Sequence, residues 1–163
     1  MKLRGLTTVA MVALLAIPVH AAELKGTATF GWTYVPTALE LAKGQYFTTG
    51  RAQGQEMRTS DDANLKLAAI DCLGWSAPDG HSGGSCVDHN GDGDAWWVDY
   101  TCNEPATPPP GALFACKGSA QAKGGTGRYA SIKGGNTFTQ VIVRGLPDGS
   151  YVGYTIEDYD LSF

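Results

Sequence analysis

The amino-acid sequence predicts an all-β fold, namely a small antiparallel barrel of about seven or eight strands that is disulfide-bonded. Glycine makes up 22 of the 163 residues, which is about twice its usual share. Short segments of alternating apolar and polar residues lie between the glycines, a pattern typical of antiparallel strands joined by tight turns. Four cysteines lie between positions 72 and 116 and favour a small domain held by disulfides.

The clearest predicted strand begins at Leu24, from which apolar or small side chains recur at every second position as far as Tyr34. This period of two is that of a strand with one buried face. Thr37 to Ala42 is the one segment in which we expect a helical turn. Further strands are predicted at Gln45–Thr49, Asn64–Leu73, Ala95–Cys102, Leu113–Ala122, Phe138–Arg144 and Tyr151–Tyr159. No internal repeat or linker divides them, so residues 22–163 are predicted to form a single domain.

The predicted strand at Ala95–Cys102 carries two adjacent tryptophans, which the alternation of side chains along a strand places on opposite faces. Trp96 shares a face with Val98 and Tyr100, whereas Trp97 shares the other face with polar residues. Adjacent strand residues point to opposite sides of a sheet. We therefore expect Trp96 to be buried and Trp97 to be substantially more exposed.

The first 21 residues have the pattern of a secretory signal peptide. Lys2 and Arg4 precede the apolar segment from Leu6 to Val19, and Ala21 ends a small-x-small cleavage motif. The apolar segment is shorter than the roughly 18 residues of a spanning helix. We therefore expect cleavage after Ala21 and a periplasmic or secreted protein. No second long apolar segment follows, so no membrane span is predicted.

The remaining 142 residues would be acidic, with ten basic against sixteen acidic side chains and a formal charge of −6. A domain of this charge repels the phosphate backbone of nucleic acids and anionic membrane surfaces. Neither is expected to be a partner.

The four cysteines are Cys72, Cys86, Cys102 and Cys116, and their spacing lacks the close C-x-x-C pairs of a zinc site. Four cysteines allow three disulfide connectivities. We expect nearest neighbours to pair, Cys72 with Cys86 and Cys102 with Cys116. Each bridge would close a loop of about 15 residues and stabilise the fold by around 3 kcal/mol through loop-closure entropy. The second bridge would clamp a proline-rich loop at Asn103–Gly111.

The segment from Gly124 to Gly134 reads GGTGRYASIKG and resembles the GGTGxYxxxxG corner of the allene oxide cyclase-like and dirigent-like β-barrels. Upstream, CLG at 72–74, GSC at 84–86 and DGD at 92–94 are similar to a group of uncharacterised exported bacterial proteins that share this corner. The resemblance implies a small antiparallel barrel but no catalytic residue that can be matched here. From the residues alone, glycines permit a sharp turn, and we expect Tyr129 and Ile132 to plug one end of the barrel.

The segment from Asp88 to Asp99 has the spacing of a calcium-binding loop. Calcium loops supply oxygen ligands from alternate positions around a glycine that makes the sharp turn, which is Gly93 here. The twelfth position usually holds Glu, and the flanks resemble strands, so the alternative is a plain hairpin turn at Asn-Gly or Asp-Gly. The sequence indicates no cofactor that the protein requires, and calcium is the one ion that its motifs suggest. The predicted ligands are Asp88, Asn90, Asp92, Asp94 and Asp99.

A cluster of carboxylates near the C-terminus is the other candidate for chemistry. If Tyr154 and Ile156 face inward, Asp158 faces inward with them by alternation. A carboxylate inside a barrel would have a raised pKa and could move protons. The alternative is that Glu157, Asp158 and Asp160 all lie in solvent.

These observations favour a non-enzymatic exported barrel, which binds a small apolar ligand or acts as a structural or interaction module. The strands are rich in aromatic side chains, and no catalytic set is recognisable. The alternative is a cyclase- or isomerase-like enzyme that acts inside the barrel. A cavity that holds a carboxylate would favour the enzyme.

Overall fold

The computed structural model describes residues 22–163. The predicted signal peptide, residues 1–21, lies outside the described residues. Eight strands and one turn of 3-10 helix (Gly127–Tyr129) make up the domain. The strands are β1 (Glu23–Ala42), β2 (Gln45–Arg58), β3 (Leu67–Ser76), β4 (Ser82–Asn90), β5 (Ala95–Pro105), β6 (Phe114–Gly125), β7 (Lys133–Gly145) and β8 (Tyr151–Ser162).

The strands form a closed barrel in which each strand pairs antiparallel with the next and β8 pairs with β1. The predicted fold class is thereby confirmed. The β1–β8 ladder runs from Glu23 opposite Ser162 to Tyr34 opposite Tyr151. Beyond it, the backbones of Ala22 and Phe163 exchange two hydrogen bonds of 2.7 and 2.9 Å. Closure leaves no unpaired sheet edge along this seam.

One end of the barrel is plugged by the glycine-rich corner, as the sequence predicts. The ring of Tyr129 is fully buried and packs edge-on against Trp96 and Phe163, with centroids 4.8 and 4.9 Å apart. Ile132 joins the same cluster. A Cβ on Gly125 would lie 2.5 Å from the Tyr129 carbonyl oxygen, so only glycine lets the corner approach β6 this closely.

Both disulfides join the predicted partners. Cys72 and Cys86 are directly opposite each other on β3 and β4, with Cα atoms 4.0 Å apart. Cys102 and Cys116 join β5 to β6 with a Cα separation of 5.9 Å. Pro108, Pro109 and Pro110 lie in the connection between these strands, although β5 extends to Pro105, so the loop begins later than predicted.

The helical turn predicted at Thr37–Ala42 is wrong, because these residues continue β1. Their backbone pairs with β2 while β8 reaches only as far as Tyr34. The end of β1 and the start of β2 therefore extend the wall of the barrel as a hairpin. Pairing with β2 overrides the local preference of the segment.

The facing of β5 agrees with the alternation of its sequence. Trp96 is 2% exposed and Trp97 is 40% exposed. A register shift in the pairing of β5 with β6 lies beside these residues, but the alternation of β5 itself is uninterrupted. Within residues 22–163, no helix is long and apolar enough to cross a membrane.

Candidate functional site

The open end of the barrel, opposite the plug, holds a cavity of about 270 Å³, which we call the mouth cavity. It is lined mainly by aromatic and apolar residues, and its lining draws on seven strands, β1 to β7. They include Trp32, Tyr34, Trp75, Tyr100, Phe114 and Ile142. An apolar cavity with few polar groups is the usual form of a small-molecule site.

Two smaller cavities of about 60 Å³ each continue from the mouth cavity toward the plug. The middle cavity shares Trp32, Tyr100 and Gln140 with the mouth cavity. The inner cavity shares Phe138 and Glu157 with the middle cavity. The three cavities thus lie in series along the barrel and lead from an aromatic entrance to buried carboxylates.

Small inward residues on β2 and β3 create this space. Ala52 lines the mouth and middle cavities. A Cβ on Gly74 would lie 2.3 Å from the hydroxyl of Tyr100. Glycine at this position therefore leaves room for the Tyr100 side chain. Large side chains at either position would fill the entrance.

The inner cavity is charged, since Arg58 binds acidic and amide groups of two strands there. Its Nη1 donates to Asn90 Oδ1 at 2.7 Å and its Nη2 donates to Asp88 Oδ1 at 2.5 Å. Its guanidinium lies over the Trp96 ring, 4.5 Å from the centroid, and contacts Glu56 as an ion pair. Buried charges of this kind are tolerated only when they are paired.

Burial dominates the protonation of this cluster. It raises the pKa of Glu56 and of Asp88, and the positive charge of Arg58 opposes the rise in both. Burial alone would lower the pKa of Arg58, but Asp88 and Glu56 outweigh it and raise that pKa. The cluster therefore holds its positive charge and takes up protons more readily than free carboxylates do.

Glu157 on β8 is the carboxylate that faces both smaller cavities. Burial, and then the charge of Asp88, raise the pKa of Glu157 to about 7. The side-chain amide of Asn136 donates a hydrogen bond to its carboxylate. A carboxyl with a pKa near neutrality can give or take a proton at physiological pH.

Of the two interpretations of the C-terminal carboxylates, an inward Asp158 is wrong, because β8 has the opposite facing, and full exposure holds for Asp158 and Asp160 but not for Glu157. Thr155, Glu157 and Tyr159 point inward, whereas Ile156 is 50% exposed and Asp158 is exposed. Trp32 Nε1 donates to Thr155 Oγ1 at 3.1 Å inside the barrel. This part of β8 therefore has an apolar residue outside and polar residues inside, the reverse of the usual facing of a strand with one buried face.

The structure divides the five predicted calcium ligands between the inside and the outside of the barrel. Asp88 and Asn90 lie on β4 and face Arg58 inside. Asp92 and Asp94 lie in the following turn, and Asp99 on β5 accepts a hydrogen bond from Ser85 on the outer surface. Among residues 22–163, no group of three or more His, Cys, Asp or Glu side chains is placed to hold a metal ion. Calcium binding by this segment stays a prediction.

The turn after β4 braces the plug. Asp92 Oδ2 accepts a hydrogen bond from the Tyr129 hydroxyl at 3.0 Å and lies 2.8 Å from Arg128 Nε. Arg128 also pairs with Asp62 at 2.8 Å. The Asp94 carboxylate accepts a hydrogen bond of 3.3 Å from the Arg128 backbone N–H. These contacts tie the acidic turn to the glycine-rich corner.

Glu56 and Arg58 were not predicted as site residues, because the second strand was expected to end at Thr49, whereas β2 continues to Arg58. The signal that could have found them is an alternation of small and larger polar residues from Gly50 to Gln55, which places Glu56 and Arg58 in phase with the small residues. The inward positions of this part of β2 are Gly50, Ala52, Gly54, Glu56 and Arg58.

Neither a protein-family model nor a curated protein matches this sequence.

Proposed function

We propose that the protein is an exported binding barrel that holds a small apolar molecule in the mouth cavity. The observation that carries the proposal is the aromatic lining of a cavity of about 270 Å³ at the open end of the barrel. Aromatic side chains offer large apolar contact area in fixed geometry. Fixed walls of this kind reduce the ordering cost of binding.

The proposal is tested by filling the cavity. Ala52→Leu adds apolar volume at an inward position, whereas Gln53→Leu adds the same side chain at the next, exposed position of β2. We expect the neutral fluorescent probe N-phenyl-1-naphthylamine to bind the wild type and Gln53→Leu. We expect Ala52→Leu to bind it at least about tenfold more weakly, which is a loss of about 1.4 kcal/mol.

Thermal melts of both variants verify that they fold, since overpacking costs about 1–3 kcal/mol. Equal probe affinity in the two variants would place the probe outside the mouth cavity and contradict the proposal. A mass-spectrometric search for lipophilic compounds that co-purify with the exported protein then identifies the natural ligand.

A second candidate function, a cyclase- or isomerase-like activity, is favoured by Glu157. Its carboxyl lies at the cavities beneath the mouth, and its pKa of about 7 suits a general acid or base. The resemblance of the GGTGRY corner to allene oxide cyclase-like barrels points the same way. Fold likeness alone does not assign an activity.

Proton transfer by Glu157 is measured with 4-phenyl-2-butanone in deuterated water. If Glu157 is a base, the wild type exchanges the protons next to the ketone, Glu157→Gln does not, and the exposed neighbour variant Asp158→Asn does. Exchange no faster than in protein-free buffer would leave the barrel without this activity.

A further inference from the structure

The inner cavity contains more acidic than basic groups. Of the described residues that line it, the ionisable ones are Glu56 and Arg58 of β2, Asp88 of β4, and Glu157 and Tyr159 of β8. Three carboxylates therefore face a single guanidinium. The Tyr159 hydroxyl donates to the Thr27 carbonyl oxygen at 3.1 Å, and burial raises the pKa of Tyr159 to about 12, so it adds no charge at neutral pH.

Arg58 does not satisfy all three carboxylates. Its Nη1 and Nη2 hydrogen bonds are directed to Asn90 and Asp88. Glu56 Oε2 lies in ionic contact with Arg58 Nη2, yet it accepts no hydrogen bond, and Glu56 is only 2% exposed. Glu157 is held by the uncharged amide of Asn136. A buried oxygen without a donor is costly, so the cavity has unfilled capacity for a positive hydrogen-bond donor.

Glu157 is the carboxylate that a molecule from the mouth reaches first. It lines the middle cavity as well as the inner one, whereas Glu56 and Asp88 line only the inner cavity. The walls of the middle cavity around it are largely aromatic, from Phe30, Trp32, Tyr100 and Phe138. The faces of aromatic rings attract cations, most strongly where water is excluded.

We propose that the ligand of this barrel is a lipophilic amine, whose apolar part fills the mouth cavity and whose protonated nitrogen pairs with Glu157. The inference rests on the proposed binding function and names the ligand class. An amine supplies both the charge and the hydrogen-bond donors that the cavity lacks. A carboxylate ligand would instead meet the ionised Glu157 at pH 8 and would reach Arg58 only past it.

The ladder between β1 and β8 gives the length of such a ligand. Trp32, at the mouth, is opposite Gly153, and Ala28 is opposite Glu157. Four residues of strand span about 13 Å, or about 10 Å along the barrel axis once strand tilt is included. A phenyl ring joined to a five-carbon chain has about this reach, which suits a matched series of probes.

The test compares 5-phenylpentylamine, 5-phenylpentanol and 5-phenylpentanoic acid by calorimetric titration at pH 8. We expect the amine to bind the wild type at least about tenfold more tightly than the alcohol, and the acid most weakly. In Glu157→Gln we expect the amine and the alcohol to bind alike. Asp158→Asn, which removes the same charge from the outer face, should keep the preference. Lowering the pH to 5.5 protonates Glu157 and should abolish the preference in the wild type.

Equal affinity of the amine and the alcohol for the wild type would overturn the ligand class while leaving the mouth-binding proposal standing. A preference for the amine that survives in Glu157→Gln would place the cation elsewhere and also overturn it. Tightest binding by the acid would assign the cavity to anions through Arg58. Failure of all three probes to bind would overturn the proposed function and this inference together. The wild-type comparison needs no variant, so the test stands even if Glu157→Gln misfolds.

Discussion

Glu157 and Asp158 are neighbours in sequence but lie on opposite sides of the barrel wall. Glu157 is 9% exposed and faces Asp88 and Arg58 across the inner cavity. Asp158 is exposed on the outer surface. A carboxyl group is thus buried with a raised pKa at one position and exposed on the outer surface at the next.

The raised pKa of Glu157 makes stability depend on pH. The carboxyl takes up its proton at a pKa of about 7 in the folded protein, against an ordinary value of 4.5. Between these values the folded state binds more protons than the unfolded state, so the contribution of Glu157 is full below about pH 4.5 and is lost as the pH rises through about 7. We expect Glu157→Gln to be more stable than the wild type at pH 8, by at most about 3 kcal/mol.

Urea unfolding of the wild type, Glu157→Gln and the control Asp158→Asn from pH 4 to pH 8 measures this effect. The difference between the wild type and Glu157→Gln should grow with pH and level off above about pH 7.5. A difference that does not change with pH would mean that Glu157 titrates normally in the fold.

Trp96 and Trp97 give a second comparison of neighbours. Trp96 packs against Tyr129 and lies beneath the guanidinium of Arg58, whereas Trp97 lies against Gly124 on the outer face. Trp96→Ala should cost about 3–5 kcal/mol. Trp97→Ala should cost about 1 kcal/mol. Denaturant unfolding at a fixed pH measures both, and equal costs would show that the outer face of β5 is also covered.

At the scale of elements, strands with apolar alternation could be predicted and β4 could not. Ser82–Asn90 contains Gly83, Gly84 and several polar residues, so no alternation marks it. A Cβ on Gly84 would lie 2.1 Å from the Leu73 carbonyl oxygen, so the glycine reflects close approach of β3 and β4 and not a turn. Amino-acid composition alone does not distinguish a glycine required by close packing of strands from a glycine in a turn.

The charged residues of the inner cavity could not be predicted either, because the local sequence pattern does not mark them as inward-facing. Residues of β2 and β8 that point inward include Glu56, Arg58 and Glu157, and an inward charge breaks the rule that polar residues face water. Asp88 was visible in the sequence as a motif residue, but its partner Arg58 is 30 positions away. Long-range pairing of this kind follows from barrel closure and not from local pattern.

The acidic turn and the glycine-rich corner act as one element, which predicts the effect of Asp92→Ala. This change removes the acceptor of the Tyr129 hydroxyl and one partner of Arg128. Because Tyr129 is fully buried, we expect a loss of about 1–3 kcal/mol. Asp99→Ala, which removes a surface hydrogen-bond acceptor, should cost less than about 1 kcal/mol.

Thermal melts in millimolar calcium and in chelator measure both effects. The loss in Asp92→Ala should be present in both solutions, because the contacts that it removes need no metal. A loss seen only with calcium would contradict this bracing role. The same melts test the calcium prediction, since a wild-type midpoint that rises with calcium and does not rise in Asp92→Ala would support it.

At the scale of the whole molecule, the barrel is asymmetric along its axis. One end is closed by Tyr129, Trp96 and Phe163, and the other opens through the mouth cavity. Charged groups lie between the two ends, next to the plug. A ligand of the proposed kind would therefore enter from the open end and meet apolar surface before charge, which is the order that a molecule with an apolar body and a polar end requires.

The predicted export of the protein is compatible with the seam at which the barrel closes. Ala22 pairs with Phe163 at the edge of the β1–β8 ladder, so cleavage after Ala21 leaves this seam intact. An oxidising compartment is also where the two disulfides form. We expect N-terminal sequencing of exported protein to begin at Ala22, with no free thiols. Ala21→Leu should block cleavage, because the position before the cut must be small, whereas Ala22→Leu should be processed normally. An intact Met1 on wild-type protein in the membrane fraction would show that the segment is retained as an anchor.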